Sequence, residues 1–342
     1  MRRWDFIKGA AAFAALAGLD PKSAFAQDNP PPVQGLPPLE YVIVEKCDDA
    51  SSLNEVVTGG DSVVNSFRQC TPDKEDYPEE CSFSSLKPIL PTMMFTVNLV
   101  YIKKKGQPCE TDYKSFYYGS CNILNKEGYF VTANHVAEDL LKNKKMALLY
   151  DPNTGIVAKP RVVIYPKNSD IQMFSGADIA LGKFDVPPGF NIAPTLITQG
   201  QPKPGDYICL TRFGENEINY AFEQILDSME TDIECGKEDY AITQTKKVEF
   251  TTPRFEIYLD YIMPSDITDG KTGNKLDYYF FTSGERLKGS SGTAAYDAKN
   301  NLVGILAGTF LPEDRPGEIN LFVSPKYVLE LINTFIQACK KV

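Results

Sequence analysis

The sequence predicts an all-β protein built as two antiparallel six-stranded β-barrels, with a C-terminal helix and an N-terminal cysteine-containing extension. From about residue 90, short β-rich runs alternate with turn residues, the pattern of a barrel or sandwich. The runs fall into two sets of six, near 94–102, 116–124, 129–133, 146–150, 156–165 and 178–186, then near 206–213, 219–227, 254–262, 276–282, 293–297 with 302–309, and 319–324. Helical spacing of apolar residues stands out only at the end, where Val328, Leu331, Ile332, Phe335 and Ile336 follow Pro325, a residue suited to a helix start.

Taken in chain order, residues 1–26 read as a signal peptide. Arg2, Arg3 and Lys8 precede a small and apolar run from Gly9 to Leu19, and Ala24-Phe25-Ala26 supplies small residues for cleavage before Gln27. The apolar run is too short to span a bilayer, so no stable membrane anchor is expected. Arg2-Arg3 with Phe6-Ile7-Lys8 is one residue longer than the twin-arginine spacing, which leaves general secretion and twin-arginine export both open; either places the mature chain in the periplasm or outside the cell. Removing four basic and two acidic residues with the signal takes the net charge from −10 to about −12. An acidic chain with no basic patch is not expected to bind nucleic acid.

Residues 27–38 are proline-rich and read as a tether. Residues 39–89 form the rest of the extension, with a short apolar run from Tyr41 to Val44, three cysteines and an acidic loop. Its expected roles are a pro-segment, a covering flap or a docking element. All eight cysteines follow residue 26, and an even count in an exported chain argues for disulfides, with Cys70 and Cys81 a plausible local pair. No Cys-x-x-Cys occurs and there is one histidine, which argues against a mixed zinc site, and no phosphate-cradling loop is seen; no metal or organic cofactor is expected. Barrel one is expected over about 90–190, barrel two over about 200–325 and the helix over about 326–340.

Three motifs carry chemistry. The single histidine, His135, follows the β-forming run Tyr129-Phe130-Val131 and the small residues Thr132-Ala133. Histidine is the side chain whose charge changes nearest neutral pH. Asp178 enters an apolar run directly in Gly176-Ala177-Asp178-Ile179-Ala180-Leu181. Ser291 lies in Gly289-Ser290-Ser291-Gly292. Gly289 lets the chain turn so that the N–H groups of Gly289 and Ser291 point at one spot, the arrangement that stabilises an oxyanion. Each motif alone is ordinary; a lone histidine is most often structural, and a glycine–serine loop is common.

The order His135, Asp178, Ser291 selects among the three known triad orders. The α/β-hydrolase order begins with serine and needs glycine where Thr293 stands; the subtilisin order needs a histidine after the aspartate. The remaining order is that of the chymotrypsin-like double barrel. The chain resembles a trypsin-like (chymotrypsin-fold) serine protease, nearest in pattern to the bacterial HtrA-type group. The resemblance rests on Gly119-Ser120, the Thr132-x-x-His135-Val136 segment, Asp178-Ile179-Ala180-Leu181, Gly205-Asp206, Gly289-Ser290-Ser291-Gly292 and the terminal Ile319 to Pro325, across roughly residues 90–342. Thr293 and Ser290 depart from the pattern, and the group's PDZ domain is not expected here.

The resemblance implies a serine endopeptidase acting on a protein or peptide substrate, with Ser291 as nucleophile, His135 as base, Asp178 as its orienting acid, and the oxyanion held by the N–H groups of Gly289 and Ser291. It also implies a specificity pocket between the segment before Ser291 and the strand Ala307-Gly308-Thr309, with Glu285, six residues before the nucleophile, at its base. The alternative is a non-catalytic exported binding protein that keeps the fold.

Overall fold

The computed structural model describes residues 39–45, 50–58, 90–102, 110–142, 146–167, 176–186, 192, 194–229, 246–247, 255–263, 278–283, 289–310 and 319–340. In chain order these form β1 (Tyr41–Ile43), α1 (Leu53–Thr58), β2 (Thr92–Ile102), β3 (Glu110–Ile123), β4 (Tyr129–Thr132), α2 (Asn134–Lys142), β5 (Met146–Asp151), β6 (Ile156–Ala158), β7 (Arg161–Pro166) and β8 (Ala180–Lys183). Then follow β9 (Tyr207–Phe213), α3 (Glu215–Met229), β10 (Lys246–Lys247), β11 (Phe255–Ile262), β12 (Tyr279–Ser283), β13 (Ala294–Tyr296), β14 (Leu302–Phe310), β15 (Ile319–Val323) and α4 (Pro325–Cys339). The signal segment, residues 27–38, the Cys70–Cys81 pairing and Glu285 lie outside the described residues.

The later strands close into an antiparallel six-stranded barrel in the order β11-β12-β15-β14-β13-β9. Its interior is apolar: Ile208, Leu210, Ile262, Phe280, Ala295, Val303, Leu306 and Phe322 pack together, with Phe280 and Phe322 stacked at 5.1 Å. The earlier strands form a second antiparallel sheet, β1-β7-β8-β4-β3-β2-β5-β6-β10. It is not closed by a strand ladder, so of the two expected barrels one is observed.

The reason lies at a corner and at two edges. Only Lys159 and Pro160 join β6 to β7, so strands near opposite ends of the sheet come within about 11 Å of each other at that corner and the sheet curls. Proline has no N–H to offer a ladder there. The edges that would close the barrel are already taken. β1 adds to β7, with Val44 N–H donating to Val163 O at 2.9 Å and Lys167 N–H donating to Glu40 O at 2.7 Å, while β10 covers β6. The curled sheet still encloses a core of Met94, Cys121, Phe130, Leu149, Ile156, Ala158 and Phe184.

One expected strand is a helix. Residues 219–227 lie inside α3, because Ile218, Ala221, Phe222 and Ile225 repeat at helical spacing and bury one face. That face packs on Phe95, Leu148, Tyr150 and Val157 of the open sheet, with the Phe95 and Phe222 rings 5.2 Å apart. α3 thus ties the end of β9, a barrel strand, to the other sheet. The run at 156–165 is also divided, into β6 and β7, by Lys159-Pro160.

The C-terminal helix forms as the spacing predicts. Ser324 precedes it, Pro325 stands in its first turn, and Val328, Leu331, Ile332, Phe335 and Ile336 are buried. Each such side chain contributes about 1.5–3 kcal/mol on burial. They join one large core with Leu53 and Val56 of α1, Tyr129 and Val131 of β4, Ile179, and Phe281, Leu321 and Val323 of the barrel. This core fastens the two sheets, the helix and the described part of the extension into one body. The expected disulfide framework is partial: Cys121 and Cys209 are buried free thiols, whereas Cys339 is disulfide-bonded.

Candidate functional site

β4 is buried along its whole length and ends at Thr132, and α2 begins two residues later. His135 therefore stands in the first turn of a helix, where backbone N–H groups have no partner within the helix. Asp178 supplies one. Its Oδ1 accepts from the His135 N–H at 2.9 Å, and its Oδ2 lies 2.7 Å from His135 Nδ1. One carboxylate fixes both the backbone and the ring of the histidine, at a helix end whose dipole favours negative charge. Asp178 is 2% exposed, while the His135 side chain is 41% exposed.

Asp178 is held in turn. It follows Gly176 and Ala177 just before β8, and β8 pairs with β4, so Asp178 enters one strand close to where His135 follows the end of its neighbour. Its backbone N–H donates to the Tyr279 hydroxyl at 3.1 Å, and that hydroxyl donates to Gly176 O at 3.0 Å. Tyr279 belongs to β12 of the closed barrel, so a residue of one sheet clamps the acid-bearing turn of the other.

The Ser291 loop comes from the barrel and is docked on β3, the neighbour of β4. Ser120 N–H donates to Ser291 O at 2.8 Å, and Ser120 Oγ donates to Gly289 O at 3.0 Å. Asn122 Nδ2 donates to Gly292 O at 2.7 Å, and Asn122 Oδ1 accepts from Ala294 N–H at 3.1 Å. Two glycines make the approach possible. Gly289 has φ +83°, and a Cβ on it would fall 1.9 Å from the Tyr118 ring. Gly292 has φ +89°, and a Cβ there would fall 1.9 Å from Ser120 O and 2.5 Å from Thr132 Oγ1. Thr132 is three residues from His135 and donates to Ser120 O at 2.7 Å. The structure thus packs the serine loop against the corner that carries the histidine, with Gly289, Ser290 and Ser291 half-buried.

Ala307, Gly308 and Thr309 lie on β14, which shifts register against β15 between Leu306 and Gly308. β13 pairs with β14 only as far as Ile305, so among the described strands residues 307–310 have β15 on one side and no strand on the other. Thr309 lies opposite Asn320, and Asn320 opposite Thr282. Thr282 Oγ1 and Asn320 Nδ2 both donate to Asp260 Oδ2, at 2.8 and 2.9 Å. Burial raises the Asp260 pKa above the usual carboxylate value, while these two donors and Arg212 pull it down.

Neither described free thiol competes as a nucleophile. Burial, then Asp151, pushes the Cys121 thiol well up, and burial, then Asp260, pushes Cys209 up to about 11. A thiol so placed is not the reactive thiolate. Among the described residues no three His, Cys, Asp or Glu side chains cluster to hold a metal. The sequence singles out His135, Asp178 and Ser291, of which the structure joins the first two by hydrogen bonds; the sequence assigns no role to Tyr279, Ser120 or Asn122. The alternation of Tyr118, Ser120 and Asn122 on one face of β3 was the available signal for the last two; nothing local marks Tyr279.

No family model matches the chain, and a search of curated proteins found no match.

Proposed function

We propose that the chain is an exported serine endopeptidase of the trypsin-like, chymotrypsin-fold kind. The observation that supports this most is the double grip of Asp178 on His135, through backbone N–H and ring Nδ1, at the corner where the Ser291 loop is packed. A carboxylate on Nδ1 holds the imidazole in the tautomer whose Nε2 accepts a proton, and stabilises the imidazolium that follows. In this reading Ser291 Oγ attacks the scissile carbonyl while His135 takes its proton. The N–H groups of Gly289 and Ser291 receive the oxyanion. His135 then returns the proton to the leaving amine. Water deprotonated by the same ring releases the acyl group and restores Ser291.

The side of β14 at Ala307-Gly308-Thr309 on which no described strand pairs suits an extended polypeptide, which adds to a sheet edge through main-chain hydrogen bonds. In the same reading Glu285 contributes a preference for Arg or Lys before the cut.

The test is covalent and kinetic together. A fluorophosphonate probe should label the mature protein at Ser291 and fail on Ser291→Ala and on His135→Ala. A peptide library read by mass spectrometry should be cleaved by the wild type. Loss of Ser291 or His135 should lower turnover on the order of a millionfold, and Asp178→Asn on the order of ten-thousandfold. A folded wild type that is neither labelled nor cleaves any peptide would replace this reading by that of a binding protein.

A further inference from the structure

The acid of the pair is not fixed by its own sheet alone, and we infer that Tyr279 is a positioning residue that couples the closed barrel to the charge state of His135 through Asp178. The inference rests on the catalytic reading above for its consequence in turnover, but its geometry stands apart from it.

Tyr279 is 5% exposed and sits on β12, paired with β15 in register with Val323, so its ring has little freedom. Its hydroxyl makes two directed contacts with one short turn. It donates to Gly176 O at 3.0 Å and accepts from Asp178 N–H at 3.1 Å. Gly176 has φ +81°, and Ile179 N–H closes onto Ala177 O at 2.9 Å, so the turn is tight and its polar groups point inward. A phenol used as donor and acceptor at once satisfies two buried backbone groups. What the turn carries is the carboxylate whose two oxygens lie 2.9 and 2.7 Å from the backbone and ring nitrogens of His135. A turn that relaxes by a few tenths of an ångström lengthens those contacts first, because they are short and directional. The interaction that favours the charged imidazole then weakens.

The chain's single histidine makes the test direct, since every imidazole signal in the NMR spectrum of histidine-labelled protein belongs to His135. The purified full chain is compared as wild type, Tyr279→Phe and Asp178→Asn. Tyr279→Phe removes only the hydroxyl and is expected to lower the His135 titration midpoint by about half a unit, in the same direction as Asp178→Asn and by less. On peptide substrate the same variant should lower kcat on the order of tenfold with KM within about twofold. If Tyr279→Phe does not fold, 3,5-difluorotyrosine introduced at position 279 keeps the ring, weakens the hydroxyl as an acceptor, and should move the midpoint the same way. A folded variant whose His135 midpoint matches the wild type overturns the inference, whatever the activity. A shifted midpoint in a protein that never cleaves peptide or takes the probe upholds the coupling and rejects the protease reading.

Discussion

Two glycines with the same backbone angle separate strain from collision. Gly292 and Gly205 both have φ +89°, but a Cβ on Gly205 would meet only Tyr261 Oη at 4.0 Å, whereas one on Gly292 would meet Ser120 O at 1.9 Å. At Gly205, alanine adds only the left-handed penalty, about 1–2 kcal/mol. At Gly292 the same penalty applies, and the carbonyl must also retreat by roughly 1.4 Å to reach an ordinary C···O separation of about 3.3 Å. Ser120 O is main chain, so no rotamer relieves the clash. The retreat breaks some of the bonds that meet there: Thr132 Oγ1 to Ser120 O at 2.7 Å, Ser120 N–H to Ser291 O at 2.8 Å and Asn122 Nδ2 to Gly292 O at 2.7 Å. At about 0.5–1.5 kcal/mol each, two or three lost bonds bring the total for Gly292→Ala to about 2–6 kcal/mol. For a chain of 342 residues the conversion is roughly 1.5 °C per kcal/mol, so Tm should fall by roughly 3–9 °C, against roughly 1.5–3 °C for Gly205→Ala. A loop displaced by about 1 Å should also slow probe labelling of Ser291 on the order of a hundredfold, which Gly205→Ala should not do. Thermal and urea unfolding measure the first pair of values and labelling kinetics the second. Equal destabilisation by the two substitutions would refute the docking of the Ser291 loop on β3.

The two described free thiols, Cys121 and Cys209, should resist iodoacetamide at pH 8 in the native protein and react once it is unfolded without reductant; peptide mapping of native labelling at either position would contradict their burial. Stability should depend on pH through Asp260. Its raised native pKa means the folded state favours the neutral acid, so its contribution is fully present below the unfolded value and is lost as pH rises through the raised native value. Tm of the wild type relative to Asp260→Asn should therefore be lowest at neutral pH and rise on acidification toward the ordinary carboxylate range, and a flat or opposite difference would show that the hydrogen bonds from Thr282 and Asn320 outweigh burial.

What was legible in the sequence follows the range of the forces involved. The face of α4 was readable because Val328, Leu331, Ile332, Phe335 and Ile336 repeat at the helical period and one core takes them all. β4 and the strand after Asp178 were readable because both are short apolar runs ending at small or turn residues. Residues 219–227 pass for a β-rich run, but the apolar positions 218, 221, 222 and 225 repeat at helical spacing, and that period forms α3. The openness of the first sheet was not readable. It depends on where β1 and β10 pair, and nothing local in Tyr41–Ile43 or Lys246–Lys247 names β7 or β6 as partner. Tyr279 was hidden for the same reason: its role comes from a contact about a hundred residues away in sequence.

β3 decides how these separate pieces meet. Successive residues of a strand face opposite ways, so its last turns present two different surfaces. Tyr118, Ser120 and Asn122 share one face, and each meets a part of the serine loop: the Tyr118 ring stands where a Cβ of Gly289 would be, Ser120 binds Gly289 O and Ser291 O, and Asn122 binds Gly292 O and Ala294 N–H. Gly119 and Cys121 share the other face. A Cβ on Gly119 would fall 2.7 Å from Val136 of α2, and Cys121 is packed in the core of the curled sheet. One face of the strand therefore receives the Ser291 loop while the other seats the helix that begins beside the histidine. A one-residue slip of β3 against β4 would exchange the faces, burying Ser120 and Asn122 among apolar side chains and turning Cys121 toward the loop. The cost of that exchange holds the register, and with the register held, the serine loop and the His135 corner are brought together by the pleat of a single strand.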